Sequence, residues 1–328
     1  MLQPNAPTLA LAIPTWNGGS LLEQVLAAVD RQPGADRLER VAIDSGSRDG
    51  TVAALRRHHF DVAVIDQKDF DHGATRDALV ERCSADVILL LTQDAVPADE
   101  HWLPALAACY EDPRVGAAYC KQLPRADCNP FIARRLREWT AGKDQPVVQE
   151  PASAAEFEAL QPMQRLQRCA YDNVAGSVRR SAWRAVGGFG RRPFGEDVAF
   201  GKRLVLGGWR IVFQAKSAVI HSHNRPAKEE GRRIYCDHQN LRELFGVHLL
   251  PTWESYRDGV AWGEREYGRI VDELSLPADE SKALHAWARA YAHDSALGMF
   301  LGAGWPENSR GPHAAFFAEL DRRMHRGI

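Results

Sequence analysis

The run Val87-Ile88-Leu89-Leu90-Leu91 carries only apolar side chains and closes on Thr92-Gln93-Asp94. A run this short and apolar reads as a strand covered on both faces. Such strands belong to largely parallel sheets with helices on either side. The flanking chain agrees with that reading. Over the first ~120 residues short apolar runs alternate with helical patterns, as βα units require. Strands are expected at 9–13, 40–43, 61–65, 86–91 and 115–120, and helices at 20–31, 51–58, 73–83 and 102–110. Ser20-Leu21-Leu22-Glu23 has the spacing of a capping box and is expected to open the first helix. The pattern turns irregular and more helical over 121–168. Strands return at 173–178 and 210–213, 218–220 is strand-like, and a helix at 198–206 is stopped by Gly207-Gly208. From about 227 the chain reads as helices. Four of the nine tryptophans lie there (Trp253, Trp262, Trp287, Trp305), which suggests a packed module. The expected organisation is an α/β unit over 1–225 and a helical region over 226–328.

Charge and cysteine usage narrow the class. The 41 basic and 43 acidic side chains leave a net charge of -2, so no nucleic-acid partner is expected. The six cysteines are scattered and form no CxxC pair, which reads as reduced thiols and a cytoplasmic protein. The N-terminal stretch has no basic segment, and Pro4, Pro7 and Pro14 interrupt it, so it is not read as a signal peptide. The run 87–91 is too short to cross a bilayer.

In open α/β sheets ligands bind beyond the carboxyl ends of the strands. Four such ends are polar or rich in small residues here: Pro14-Thr15-Trp16-Asn17-Gly18-Gly19, Asp44-Ser45-Gly46-Ser47-Arg48-Asp49-Gly50-Thr51, Phe70-Asp71-His72-Gly73-Ala74-Thr75-Arg76 and Gln93-Asp94-Ala95. Any one of them could be turn and cap chemistry. Four on one sheet edge point to a ligand. The dinucleotide fingerprint GxGxxG, the phosphate loop GxxxxGK[ST], HExxH and GxSxG are all absent. Asp44 at a strand end is placed to accept from a nucleobase or ribose. Arg76 near a helix start can meet a phosphate. Asp94 closes the most apolar strand, where a charge must be paired or coordinated. It is read as a ligand to a divalent cation, with a helix cap as the alternative. Phe194-Gly195-Glu196-Asp197 opens a helix behind Gly187-Gly188-Phe189-Gly190. The acids could serve the helix dipole, but the glycines imply a close approach to something. Of His221 and His223, one imidazole is expected to face the site and the other not, so a single histidine ligand is expected rather than a pair.

In this order, Ile13-Pro14-Thr15-Trp16-Asn17, the Asp44–Thr51 segment, Gln93-Asp94, Gly187-Gly188-Phe189, Glu196-Asp197 and His221 resemble the family 2 inverting glycosyltransferases with the GT-A fold. The resemblance spans roughly 8–225. Phe70-Asp71-His72-Gly73-Ala74-Thr75-Arg76 is similar to the F-N-H-G-x-T-R segment of bacterial rhamnosyltransferases, and Leu91–Ala95 and His221-Ser222-His223 also look like that subgroup. It implies a nucleotide-binding α/β domain merged with an acceptor-binding half. It implies an NDP-sugar donor, dTDP-rhamnose above others, and Mg or Mn. Thr15, Asp44 and Ser47 would line the nucleoside pocket. Asp71 and Arg76 would continue it toward ribose and diphosphate, and Asn17, Ser45, Gly73 and Gln93 would also bind the donor. Asp94 and His221 would hold the metal. Asp197 would be the general base, with Glu196 orienting the acceptor. Where the family pattern has Asp-x-Asp, this chain has Gln93-Asp94-Ala95. A single carboxylate remains, and diphosphate oxygens, waters and His221 would complete the shell.

The acceptor is expected to be a glycan or lipid-linked glycan in cell-surface polysaccharide synthesis. Residues 165–210 hold ten basic and three acidic side chains. Phe131, Ile132, Leu136 and Trp139 form an apolar stripe among arginines. Such a helix could rest on the anionic cytoplasmic face of the inner membrane. The other reading is a helix packed on its own domain. The helical region could pair two copies into a homodimer. Two other functions stay open: a sugar nucleotidyltransferase, although its usual basic loop is missing after the first strand, and a non-catalytic nucleotide-sugar-binding protein.

Overall fold

The computed structural model describes residues 7–192, 194–308 and 310–326, with the side chains of 305–308 left aside. The chain divides into two compact units, Met1–Asn224 and Arg225–Ile328.

Unit one is built on a nine-stranded sheet: β1 (Leu9–Thr15), β2 (Glu39–Asp44), β3 (Asp61–Val64), β4 (Val87–Leu91), β5 (Val96–Pro97), β6 (Val115–Leu123), β7 (Val147–Gln149), β8 (Ala175–Arg179) and β9 (Arg210–Ile220). The order is β3-β2-β1-β4-β8-β6-β9-β5, with β7 also on β9. β1 is parallel to both β2 and β4, and β2 to β3. β8 is antiparallel to β4 and β6, which makes the sheet mixed. The two most apolar runs become its centre: every residue of β4 is buried, and Ala10–Ile13 of β1 are inaccessible. β3 is an edge strand, with Val64 57% exposed.

The helices Gly19–Asp30, Thr51–Arg57 and His72–Arg82 connect the parallel strands. Leu22, Val25, Leu26 and Val29 of the first pack into the core with Leu11, Ile13 and Leu89. After β3 the chain crosses back to pair β4 with β1, so strand order reverses between them. That reversal places a crevice at the carboxyl ends of β1 and β4.

Some boundaries differ from the sequence reading. The expected capping box at Ser20 does not form, because Ser20 already lies inside the helix and Gly18 is the cap. Caps from the β2 loop replace it: Gly18 N–H donates to Thr51 Oγ1 (2.8 Å) and Gly19 N–H to Asp49 Oδ2 (3.1 Å). β9 runs past Phe213 to Ile220, because a register shift opposite Cys120/Lys121 lets it resume pairing at Ala218. β5 and β7 are short strands on β9 that no periodicity signalled.

The apolar stripe offered to lipid is used in packing. Phe131 and Ile132 of the helix Pro130–Leu136 are buried, and Trp139 lies beneath Lys143. Arg165, Arg179, Arg203 and Arg210 of the basic segment are engaged with main-chain carbonyls or with Asp112, Glu150 and Glu158. No helix among the described residues is long and apolar enough to cross a membrane. All six cysteines are free, and burial pushes the thiols of Cys83, Cys169 and Cys236 up to about 12.

Unit two is helical: Ala227–Phe245, Trp253–Asp272, Ala278–Asn308 and Ala314–His325. Its first and third helices touch backbone to backbone. A Cβ on Gly298 would lie 2.4 Å from Gly231 O, and one on Gly302 2.8 Å from Tyr235 O. Trp287 stacks on Tyr291 at 4.8 Å and donates its indole N–H to Arg225 O.

Candidate active site

The crevice between β1 and β4 holds a cavity of about 240 Å³, lined among others by Thr15, Trp16, Ser45, Phe70, Arg76 and Gln93. Its walls are joined by side chains that the sequence reading assigned to the donor. The Gln93 amide accepts from Trp16 N–H (2.8 Å) and donates to Trp16 O (3.0 Å), tying the β4 end to the β1 loop. Asn17, at φ +47°, donates its N–H to Ser47 Oγ and accepts Arg48 N–H on its side chain. Asp44 has no exposed surface. It accepts from Thr15 Oγ1, Ser47 Oγ and the Gly46 and Ser47 amides, so it braces the pocket wall from behind. Asp71 caps the helix His72–Arg82, accepting Ala74 N–H at 2.8 Å. Gly73 permits a close approach: a Cβ there would lie 1.9 Å from Gly190 O.

That approach brings the glycine-rich loop beside the pocket helix. Asp77, one turn on, accepts from Trp183 Nε1 (2.7 Å), Phe189 N–H (2.7 Å) and Gly190 N–H (2.8 Å). The loop leads to the helix Glu196–Leu206, whose first two residues are the predicted acids. Arg76 Nη1 lies 3.1 Å from Glu196 Oε1, with both side chains under a tenth exposed. Asn173 donates to the same oxygen. Burial alone would raise the Glu196 carboxyl; the Arg76 charge, with His72 and Asn173, outweighs burial and lowers it. Asp197 keeps part of its surface open. Loss of solvent and the neighbouring Glu196 carboxylate hold its carboxyl well above the usual range. Two adjacent carboxyls with opposed shifts suit different roles, one fixed as an anion and one able to take a proton. Arg76 Nε, Asn173 Oδ1 and Tyr171 OH are buried without a protein partner.

At the end of β4, Asp94 turns toward the end of β9. Its Oδ2 lies 3.6 Å from His221 Nε2 and 3.3 Å from His223 Nε2, and the two ring nitrogens are 3.1 Å apart. Each of the three offers a ligand atom within 4.8 Å of the others. Burial would raise the Asp94 carboxyl, but the two facing imidazoles hold it well below the ordinary range. This overturns the expectation of one facing histidine. Residues two apart project to the same side of an extended chain, so both rings reach Asp94. Nor is Asp94 a helix cap: Asp99 accepts the His101 N–H at the next turn.

Gln122, Asp172, Asn173, Asp77 and His223 also belong to this network, although the motifs do not single them out as site residues. Gln122 donates to Asp172 (3.0 Å) and faces His221 Nδ1 (3.0 Å), while Asn173 reaches Glu196. Asp172 and Asn173, adjacent in sequence just before β8, therefore link the Asp94–histidine cluster to the acid pair. Polar side chains inside or abutting apolar strands were the available signal.

Residues 10–183 match the sequence model of glycosyl transferase family 2. The chain is 34% identical over 260 residues to the O-antigen chain rhamnosyltransferase RfbN of Salmonella typhimurium, covering 78% of this chain and 77% of that protein. It is 28% identical over 261 residues to the O-antigen chain rhamnosyltransferase WbaN of Salmonella anatum, covering 79% and 78%. Among solved structures, the mannosyltransferase PcManGT of Pyrobaculum calidifontis, in complex with GDP-Man and Mn2+, superposes with a TM-score of 0.53 at 19% identity. That match covers 97% of this chain and 80% of the other. S. aureus TarS 1-349 in complex with UDP-GlcNAc gives 0.50 at 12% identity, covering 92% of each chain. The likeness to these structures carries the fold, which is GT-A, and the sequence matches carry the family: the chain belongs to glycosyl transferase family 2 and is a glycosyltransferase.

Proposed function

We propose that the enzyme transfers L-rhamnose from dTDP-rhamnose to a hydroxyl of a glycan or lipid-linked glycan, in one inverting displacement serving cell-surface polysaccharide synthesis. The observation that supports this reading is the Asp172–Asn173 link, which runs from the Asp94–His221–His223 cluster, through Gln122, to Glu196 beside Asp197. The rhamnose assignment rests on the two rhamnosyltransferase relatives and on the Phe70–Arg76 segment.

The donor set of Asp94, His221 and His223 fits a divalent cation. Two imidazoles and one carboxylate suit Mn2+ better than Mg2+, which prefers oxygen throughout. When bound there, the cation would offset charge on the leaving diphosphate. The nucleoside sits in the crevice against Thr15 and Ser45. Arg76 flanks the diphosphate and stays oriented by Glu196. Asp197 takes the proton from the acceptor hydroxyl as its oxygen attacks the anomeric carbon, opposite the leaving group. Positioned general-base help is worth ~10²–10⁴-fold. Glu196 stays ionised beside Arg76 and keeps the Asp197 carboxyl basic.

The test is release of dTDP from dTDP-rhamnose by the full chain with Mn2+, with and without Asp197→Asn. The expected result is turnover that falls at least ~10²-fold in the variant while donor binding persists. Near-normal turnover in Asp197→Asn contradicts the base assignment, and release only from a uridine or guanosine donor contradicts the rhamnose assignment.

A further inference from the structure

The cation cluster has a support that reaches away from it. His221 Nδ1 lies 3.0 Å from Gln122 Oε1, and Gln122 Nε2 lies 3.0 Å from Asp172 Oδ2. Asp172 Oδ1 takes the Val174 N–H at 3.2 Å. Gln122 is 7% and Asp172 9% exposed, so water does not substitute freely for these partners.

The direction of each hydrogen bond follows from the chemistry of the groups. Gln122 is oriented with its NH₂ donating to Asp172 Oδ2, while Asp172 Oδ1 accepts the Val174 N–H. Its carbonyl oxygen then faces His221, and a carbonyl only accepts. The His221 proton must sit on Nδ1. The lone pair is left on Nε2, the atom that faces Asp94 and His223. We infer that Asp172 and Gln122 are positioning residues that lock the tautomer of His221 in its cation-ligating form, an inference that rests on the proposed cation site.

The arrangement needs such a lock. The two facing Nε2 atoms are 3.1 Å apart. Without a fixed tautomer, a proton on His221 Nε2 could donate to His223 or Asp94 and occupy the ligating position. With Nδ1 protonated, the Nε2 proton between the two rings can only be that of His223. Partners of this kind behind a histidine ligand change metal affinity by roughly 10–100-fold when removed.

The experiment uses the full chain without donor sugar. Histidine ring tautomers are read by long-range 1H–15N spectra in the absence of metal, with His221 assigned by its loss in His221→Gln. Mn2+ affinity is read separately by EPR titration. Recorded at a pH where imidazole is neutral, wild type is expected to show the His221 proton on Nδ1. Gln122→Met, which keeps the shape and removes the acceptor, is expected to lose that preference and to bind Mn2+ about 10–100-fold more weakly. If Gln122→Met does not fold, Asp172→Asn replaces it, since an amide there no longer dictates the Gln122 flip. An Nε2–H His221 in wild type overturns the inference, as does a variant with unchanged tautomer and Mn2+ affinity within about twofold, well short of that expected loss. Failure of wild type to bind Mn2+ overturns the cation site itself, and the ring spectra still decide the relay.

Discussion

Asp197 carries the sharpest residue-level consequences. Its carboxyl is raised first by burial and then by Glu196. As the proposed base, Asp197 must be deprotonated to act, so turnover is expected to fall on acidification while the pH is still above the ordinary aspartate value of about 3.9. A pH–rate profile checks this, and a loss confined to the ordinary range contradicts it. Stability moves in the opposite sense. An acid whose folded-state pKa is raised stabilises the fold below its unfolded pKa and loses that contribution as pH rises through the folded value. Asp197→Asn is therefore expected to melt at higher temperature than wild type at neutral pH, and the gap should close in acid. Melting curves across pH measure both limbs.

Not every site residue was equally visible in the sequence. Asp94 and the Glu196-Asp197 pair stood out because charge at a strand or helix end must be accounted for locally. His223 was set aside by a mistaken expectation about which way neighbours on a strand point. Gln122 and Asp172 lie 50 residues apart and meet only through strand pairing, so no local pattern marks their bond.

Among elements, the glycine-rich loop 187–190 shows most clearly how sequence becomes site. Gly187, Gly188 and Gly190 all adopt positive φ, which side chains resist. Asp77 then gathers two of the loop's N–H groups and the Trp183 indole onto one carboxylate. Asp77→Ala leaves those donors unpaired, at about 1–3 kcal/mol for each buried group that water does not reach. The expected outcome is a clearly lower melting temperature, with turnover depressed through the displaced Glu196 and Asp197. Gly73→Ala places a methyl against Gly190 O and is expected to cost about 1–3 kcal/mol. Calorimetry that finds either variant as stable as wild type contradicts this reading of the loop. The parallel strands and their helices were legible from alternation alone. β5, β7 and the middle of β9 were not, because β5 and β7 are very short and β9 shifts register there, which the local sequence does not encode.

At the scale of the whole molecule, the near-neutral charge conceals a division of labour. In unit one most of the polar chemistry gathers at one sheet edge, and much of the basic segment is spent on carbonyls and acids of its own fold. Unit two is held by close glycine contacts between two long helices. Gly298→Leu is expected to separate them and lower the melting temperature of that unit, a change visible by circular dichroism. An unchanged melt contradicts the contact. The helical character of this region was readable from its pattern and its packing from four tryptophans, but the glycine seam was not, since Gly231 and Gly298 are far apart in sequence.

The proposed chemistry depends above all on the Asp94–His221–His223 cluster holding a divalent cation that secures a deoxythymidine-diphosphate sugar. Isothermal titration of dTDP-rhamnose into wild type and Asp94→Ala, each with Mn2+, with Mg2+ and with neither, measures it directly. The expected result is binding by wild type that is strongest with Mn2+, weaker with Mg2+, and in Asp94→Ala no longer dependent on either ion. Equal affinity with and without metal in both proteins contradicts the claim.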